Sequence, residues 1–216
     1  MKNASERRSK HAIISVGRGL ADARLIAARA GNISCRLSDR TILITATGAR
    51  LGKLRESDIV SVDLATHAVT PEGGRPSSEL AVHSLIYRSF PCAVIVHCHP
   101  PLSNAYFSVC PKLATLTYET HFYLGEVPVV GQKSLTVTKP GSVIKALVLN
   151  KIVVIRHHGV FSIGNTFDEA LSRIHILEEA VKVAAVARLF KKRRLDALDK
   201  AIKKNLGSCS SWVGGC

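Results

Sequence analysis

Ala93-Val94-Ile95-Val96-His97-Cys98-His99 is the stretch on which the reading of this chain turns. A short apolar run rich in β-branched residues describes a buried strand, and two imidazoles sit at its end. Strand side chains alternate between faces, so His97 and His99 share one, about 6.6 Å apart along the backbone, while Cys98 takes the other. Two imidazoles on that spacing can close on one divalent cation at about 2.0–2.1 Å. A third is on offer where another apolar run ends, at Ile152-Val153-Val154-Ile155-Arg156-His157-His158-Gly159. Three histidines around an open position are the ligand set of a catalytic zinc, although imidazole sites also accept other transition metals. Parity turns Cys98 away, so it is not counted as a ligand.

Outward from this strand, short β-like pieces and helical runs alternate. Residues 10–30 carry Ile13, Ile14, Leu20, Leu25 and Ile26 at helical spacing and end at Gly31, which predicts a helix. Strands are expected over 32–37, 40–45 and 58–64, separated by turn signals at Ser38-Asp39 and Gly48. Pro76-Ser77-Ser78-Glu79 opens a helix running to about Phe90, with Ser77 or Ser78 as its cap. A short helix follows Pro100-Pro101, a brief strand lies within 124–130, and a helix covers 141–150. Strands over 152–157 and 160–163 lead to a long helix from Thr166 to Phe190 or beyond. Such hairpins and crossovers predict an α/β chain whose central, largely antiparallel mixed sheet is covered by helices. Gly17-Arg18-Gly19 lies inside a helical pattern rather than in a first βα turn, which argues against dinucleotide binding. With no repeat and no linker, residues 1–206 read as one domain and 207–216 as a loose Gly/Ser-rich tail.

Composition narrows the class. A chain of 216 residues with 46% hydrophobic and 21% charged residues is globular and long enough for one sizeable core. No apolar stretch reaches the roughly 18–20 residues of a spanning helix, so no membrane partner is expected. The start, Met1-Lys2-Asn3-Ala4-Ser5-Glu6-Arg7-Arg8, lacks an apolar segment behind its charges, and a cytoplasmic location is expected. Six cysteines without a Cys-x-x-Cys are too sparse for a disulfide scaffold, and Cys35, Cys92, Cys98 and Cys110 read as small buried residues. Net charge is +14, but residues 1–10 hold +3 of it and residues 182–204 hold +7, leaving +4 for the body. Lys191-Lys192-Arg193-Arg194 is read as a solvated helix end rather than a nucleic-acid arm. Nucleic acid is not an expected partner; a small anionic substrate suits the mildly basic body.

Glu79 carries two readings. Alone, a carboxylate at the start of a helix is an electrostatic complement to the dipole. Beside a metal it becomes an acid/base group able to move a proton on carbon next to a carbonyl. Glu79-Leu80-Ala81-Val82-His83 is not the His-Glu-x-x-His zincin pattern, and His83 reads as a packed helix residue. Ser77 and Ser78 stand before a helix whose free N–H groups suit an anion, and Asn32, Thr47 and Gly48 lie in turns. Each alone is ordinary turn chemistry; together they would suit a phosphate.

In this order the segments resemble the class II aldolase/epimerase/dehydratase family, which includes L-fuculose-phosphate aldolase and L-ribulose-5-phosphate 4-epimerase. The matching stretches are Ala30-Gly31-Asn32-Ile33-Ser34, Leu43-Ile44-Thr45-Ala46-Thr47-Gly48, Pro76-Ser77-Ser78-Glu79 with His83, Val96-His97-Cys98-His99-Pro100 and Arg156-His157-His158-Gly159-Val160. Glu169-Ala170 and Leu177-Glu178 of the final helix also fit, and the resemblance covers roughly residues 10–190.

The resemblance implies a three-layer α/β/α fold in a cyclic homotetramer with active sites between neighbouring subunits. It places the zinc on His97, His99 and His158, makes Glu79 the acid/base, and maps Asn32, Thr47, Gly48, Ser77 and Ser78 to the phosphate. His157 becomes a structural neighbour. Epimerases carry aspartate at the Glu79 position, so glutamate favours an aldolase acting on a phosphorylated sugar. Tyr118 maps near a tyrosine that a neighbouring subunit offers as proton donor. Glu119 lies near the acid/base glutamate of methylthioribulose-phosphate dehydratases, the alternative being an ordinary surface residue. The family's usual proline between Thr45 and Thr47 is Ala46 here, and no tyrosine follows Tyr123. A non-catalytic basic binding protein on the same fold is the distant alternative.

Overall fold

The structure is a computed structural model that describes residues 2–190 and 200–204, apart from 71–73, 133, 135 and 138. Lys191-Lys192-Arg193-Arg194 and the expected tail at 207–216 lie outside the described residues. Seven strands form one sheet: β1 (Asn32–Arg36), β2 (Thr41–Thr45), β3 (Ile59–Asp63), β4 (Val94–Cys98), β5 (Val129–Val130), β6 (Ile152–Ile155) and β7 (Gly159–Gly164). Their order is β3-β2-β1-β4-β7-β6-β5, and only β5 against β6 is parallel. The expected central, largely antiparallel mixed sheet is therefore present. Helices α1 (Lys2–Asp22), α3 (Pro101–Val109), α4 (Tyr118–Leu124) and α6 (Phe167–Phe190) contribute to one side of it. On the other lie α2 (Leu80–Ser89) and α5 (Pro140–Leu147).

Alternation along β4 sorts the two cores. Val94, Val96 and Cys98 join Ile13, Phe107 and Ile174 in one, while Ile95 joins Val82, Ile86 and Phe161 in the other. Both faces of the sheet are covered, so its strands read as continuous apolar runs instead of an alternating pattern. α6 buries Ala170, Ile174, Leu177, Val181 and Ala184, a repeat of three to four residues that lays one stripe on the sheet. His97 falls on the α2 face at the end of β4, paired with Phe161 of β7 and Asn32 of β1.

Several boundaries differ from the sequence reading. α1 starts at Lys2 and stops at Asp22, not at Ala30, because Arg24 enters the left-handed region (φ 57°) and the chain turns to bury Leu25. Neither Ser77 nor Ser78 caps α2. Glu79 is the N-cap residue, with no cap bond from its side chain, and the Ser77 hydroxyl accepts from the Glu79 N–H (3.3 Å) in a local turn. Leu124 ends α4, a helix not expected from the sequence, and only Val129–Val130 pairs as a strand in that region. Thr117 caps α4 by accepting from the Thr120 N–H at 3.2 Å, and Gly125 (φ 58°) ends it. Ala46 donates its N–H to the Asp58 carbonyl (2.8 Å), a bond the family's usual proline could not make.

Candidate metal centre

Two sheet-derived segments supply the three imidazoles. His97 is the penultimate residue of β4, His99 follows its end, and His158 sits in the turn joining β6 to β7. That turn is tight: His157 takes φ 60° and His158 donates its N–H to the Ile155 carbonyl at 3.1 Å. The Asn104 amide of α3 holds it from the other side by donating to the His158 carbonyl (3.1 Å). Gly159 follows because an added Cβ would meet the Cys98 carbonyl and stand 2.7 Å from Cδ2 of His99. One ring nitrogen from each of His97, His99 and His158 lies within 4.8 Å of the other two. Nε2 of His97 and Nε2 of His99 are 3.0 Å apart.

These donors fit a divalent cation on chemical grounds. Nδ1 of His97 donates to the Val160 carbonyl at 2.9 Å, so the neutral ring leaves Nε2 bare. That Nε2 faces Oε2 of Glu79 at 3.1 Å, an acceptor facing an acceptor, which a cation between them would satisfy. Nε2 of His158 meets Oε1 of the same carboxylate at 3.1 Å. Burial pushes the pKa of His97 down and that of His99 down to about 3, holding both rings in the neutral form that binds metals. For Glu79 burial acts upward, but the hydrogen bonds from His158 and the Asn32 amide act downward, and the balance holds the carboxyl below the ordinary range. Cys98 is fully buried in the opposite core, where burial raises its thiol, and takes no part.

Next to the imidazoles a cleft of about 170 Å³ opens, lined by Asn32, Thr47, Gly48, Ser77, Ser78 and Glu79 together with His97, His99 and His158. Thr47 donates its N–H to the Arg75 carbonyl (2.9 Å) and Ser77 donates to the Thr45 carbonyl (3.1 Å), which brings the end of β2 beside the start of α2. Nine residues singled out in the sequence thus share one cleft. Arg29 and Thr136 line it as well and were not anticipated. Arg29 donates to the Gly48 carbonyl from the segment after α1. No periodic pattern marked it, because its contact depends on where the chain folds back. His157 is exposed and points to no ligand set among the described residues.

Tyr118 and Glu119 are not brought to the cleft of their own chain. Tyr118 is 54% exposed on α4, and Glu119 lines a separate cavity between α4 and α6 with His175 and Glu179.

Comparison with known proteins places these features in a family. The family model described as class II aldolase and adducin N-terminal domain matches residues 11–185. The chain is 29% identical over 174 residues to the L-fuculose phosphate aldolase of Methanococcus vannielii, covering 80% of this chain and 93% of that protein. It is 30% identical over 186 residues to the methylthioribulose-1-phosphate dehydratase of Granulibacter bethesdensis, covering 77% and 86%. The crystal structure of L-fuculose-1-phosphate aldolase from Thermus thermophilus superposes with a TM-score of 0.76 at 32% identity, covering 86% of this chain and 97% of that one. A histidine triad able to hold a metal, the polar cleft beside it and these matches agree: the chain belongs to the class II aldolase and adducin N-terminal domain family.

Proposed function

We propose that this chain is a zinc-dependent aldolase that cleaves a phosphorylated ketose resembling L-fuculose 1-phosphate into dihydroxyacetone phosphate and a short aldehyde. The observation that carries the reading is the buried Glu79 carboxyl set against His97 and His158 in the cleft that also holds Ser77, Ser78, Thr47 and Gly48. His97, His99 and His158 would hold the cation, which when bound acts as a Lewis acid on the ketose carbonyl and hydroxyl oxygens. Hydroxyls of Ser77, Ser78 and Thr47, with the Gly48 backbone and the Asn32 amide, would orient the phosphorylated end. Glu79 would carry the proton to and from the carbon beside the carbonyl, a task suited to a carboxylate kept charged at one wall of the cleft. Tyr118, exposed on α4, would serve the leaving aldehyde from a neighbouring subunit of a cyclic homotetramer in the cytoplasm.

Metal analysis of the purified protein, then turnover on phosphorylated ketoses with and without chelator, tests this. Glu79→Gln is expected to keep its metal and lose about 10²- to 10⁴-fold in kcat. Turnover unchanged in that variant would end the role assigned to Glu79.

Elimination of water with Glu119 as base is the second reading, favoured by the dehydratase likeness at 30% identity. Methylthioribulose 1-phosphate offered beside L-fuculose 1-phosphate separates the two.

A further inference from the structure

A chain of side-chain hydrogen bonds runs inward from the cleft, with every link buried. Asn32 donates from Nδ2 to Oε2 of Glu79 at 3.1 Å. Its Oδ1 meets Nε2 of His83 at 2.5 Å. Nδ1 of His83 lies 2.7 Å from the Ser34 hydroxyl, which lies 2.9 Å from the Tyr87 hydroxyl. The five residues come from two simple repeats. Glu79, His83 and Tyr87 are spaced by four residues along one stripe of α2, and Asn32 and Ser34 by two along one face of β1. Helix stripe and strand face interleave, so Asn32 and Ser34 each bridge two residues of the stripe and His83 bridges the two strand residues.

The direction of every bond follows from the placement of the Asn32 amide, which presents its NH₂ to Oε2 of Glu79 and its carbonyl oxygen to His83. That oxygen only accepts, so the proton of the neutral His83 ring must sit on Nε2. Nδ1 is then bare and accepts from Ser34, which in turn accepts from Tyr87. Burial keeps His83 neutral, down to a pKa of about 3, and holds Tyr87 protonated, so no member supplies a competing charge. Phe161, edge-on at 5.9 Å, packs against the His83 ring.

We propose that His83 is a positioning residue: its Nε2–H locks the Asn32 amide in the one orientation that presents N–H to Glu79, and so fixes the carboxylate in the cleft. Without that lock the buried Oδ1 of Asn32 loses its donor, the amide is held at one end only, and Glu79 loses a fixed partner. The kinetic consequence rests on the aldolase reading of Glu79; the direction of the hydrogen bonds does not.

Two measurements test it. In zinc-loaded protein labelled with nitrogen-15 histidine, long-range proton–nitrogen spectra report which ring nitrogen carries the proton. The expected result is a single Nε2–H tautomer for His83; an Nδ1–H tautomer, a mixture or a doubly protonated ring overturns the proposal. Kinetically, His83→Leu is expected to lower kcat by about 10- to 100-fold with zinc content near that of the unaltered protein. His83→Gln, which can again point an N–H at Asn32, is expected to recover most of that loss. An unchanged kcat in folded His83→Leu, or a loss matched by loss of zinc, refutes it. The spectrum needs no variant, so a His83→Leu chain that fails to fold still leaves the tautomer to decide. If no phosphorylated ketose is turned over, the aldolase reading falls and the spectrum alone judges His83.

Discussion

Replacing Gly159 by alanine tests whether the imidazole cluster is a rigid site or a loose gathering. The substitution adds one methyl group where the turn after β6 enters β7. That carbon would press on the Cys98 carbonyl, stand 2.7 Å from Cδ2 of His99 and 3.0 Å from Cε1 of His97. Ordinary contact begins at 3.4 Å, so the His99 ring must retreat by about 0.7 Å and β4 must part slightly from β7. Metal–ligand distances tolerate only about ±0.2 Å, so a displacement of this size removes at least one ligand. Overpacking at a buried strand pair also costs about 1–3 kcal/mol of stability. Zinc affinity measured by competition with a chromophoric chelator is expected to fall by 10-fold or more, about 1.4 kcal/mol per decade. A thermal melt of the apoprotein reads the stability cost separately. Wild-type zinc affinity in folded Gly159→Ala would refute the claim that His97, His99 and the β6–β7 turn hold one tight site.

Two other outcomes follow from the same geometry. Cys98→Ala is expected to leave metal content unchanged, since Sγ faces the core opposite the imidazoles; loss of metal on elemental analysis would contradict the parity of β4. Acid should destabilise the apoprotein. His83 titrates near 6.5 when unfolded but at about 3 when folded, so between those values the unfolded chain binds more protons and stability falls as pH drops. Glu79, held below its ordinary value when folded, acts in the same direction as pH falls below its unfolded pKa. Denaturant unfolding from pH 7 to pH 4 should show this slope, reduced by up to about one proton in His83→Gln; an identical slope in the variant would contradict a neutral buried His83.

Much of the imidazole cluster was legible in the sequence because strand parity is a local rule. An alternation of two fixes that His97 and His99 point together and Cys98 points away, whatever surrounds them. The cap of α2 was misread because Ser77 and Ser78 are good capping residues by type, and the distinction lies in where Glu79 turns its side chain. That choice is made by His97, His158 and Asn32, which come from three other segments. α4 was missed despite the Thr117 and Gly125 signals at its ends, because seven residues carry too little periodicity to register. His83 read as core packing, and it is fully buried; its partners at positions 32 and 34 are some fifty residues away in sequence.

Sequence alone determined the elements of this protein, its family resemblance and the strand faces on which two of three imidazoles lie, because backbone periodicity acts between neighbours. Only the tertiary structure decided that a turn after β6 closes the triad, that Glu79 faces it, and that a buried line of bonds from Tyr87 reaches that carboxylate. Those facts depend on sheet order and on helix α2 settling over β1, where hydrogen-bond direction is imposed by partners distant in the chain.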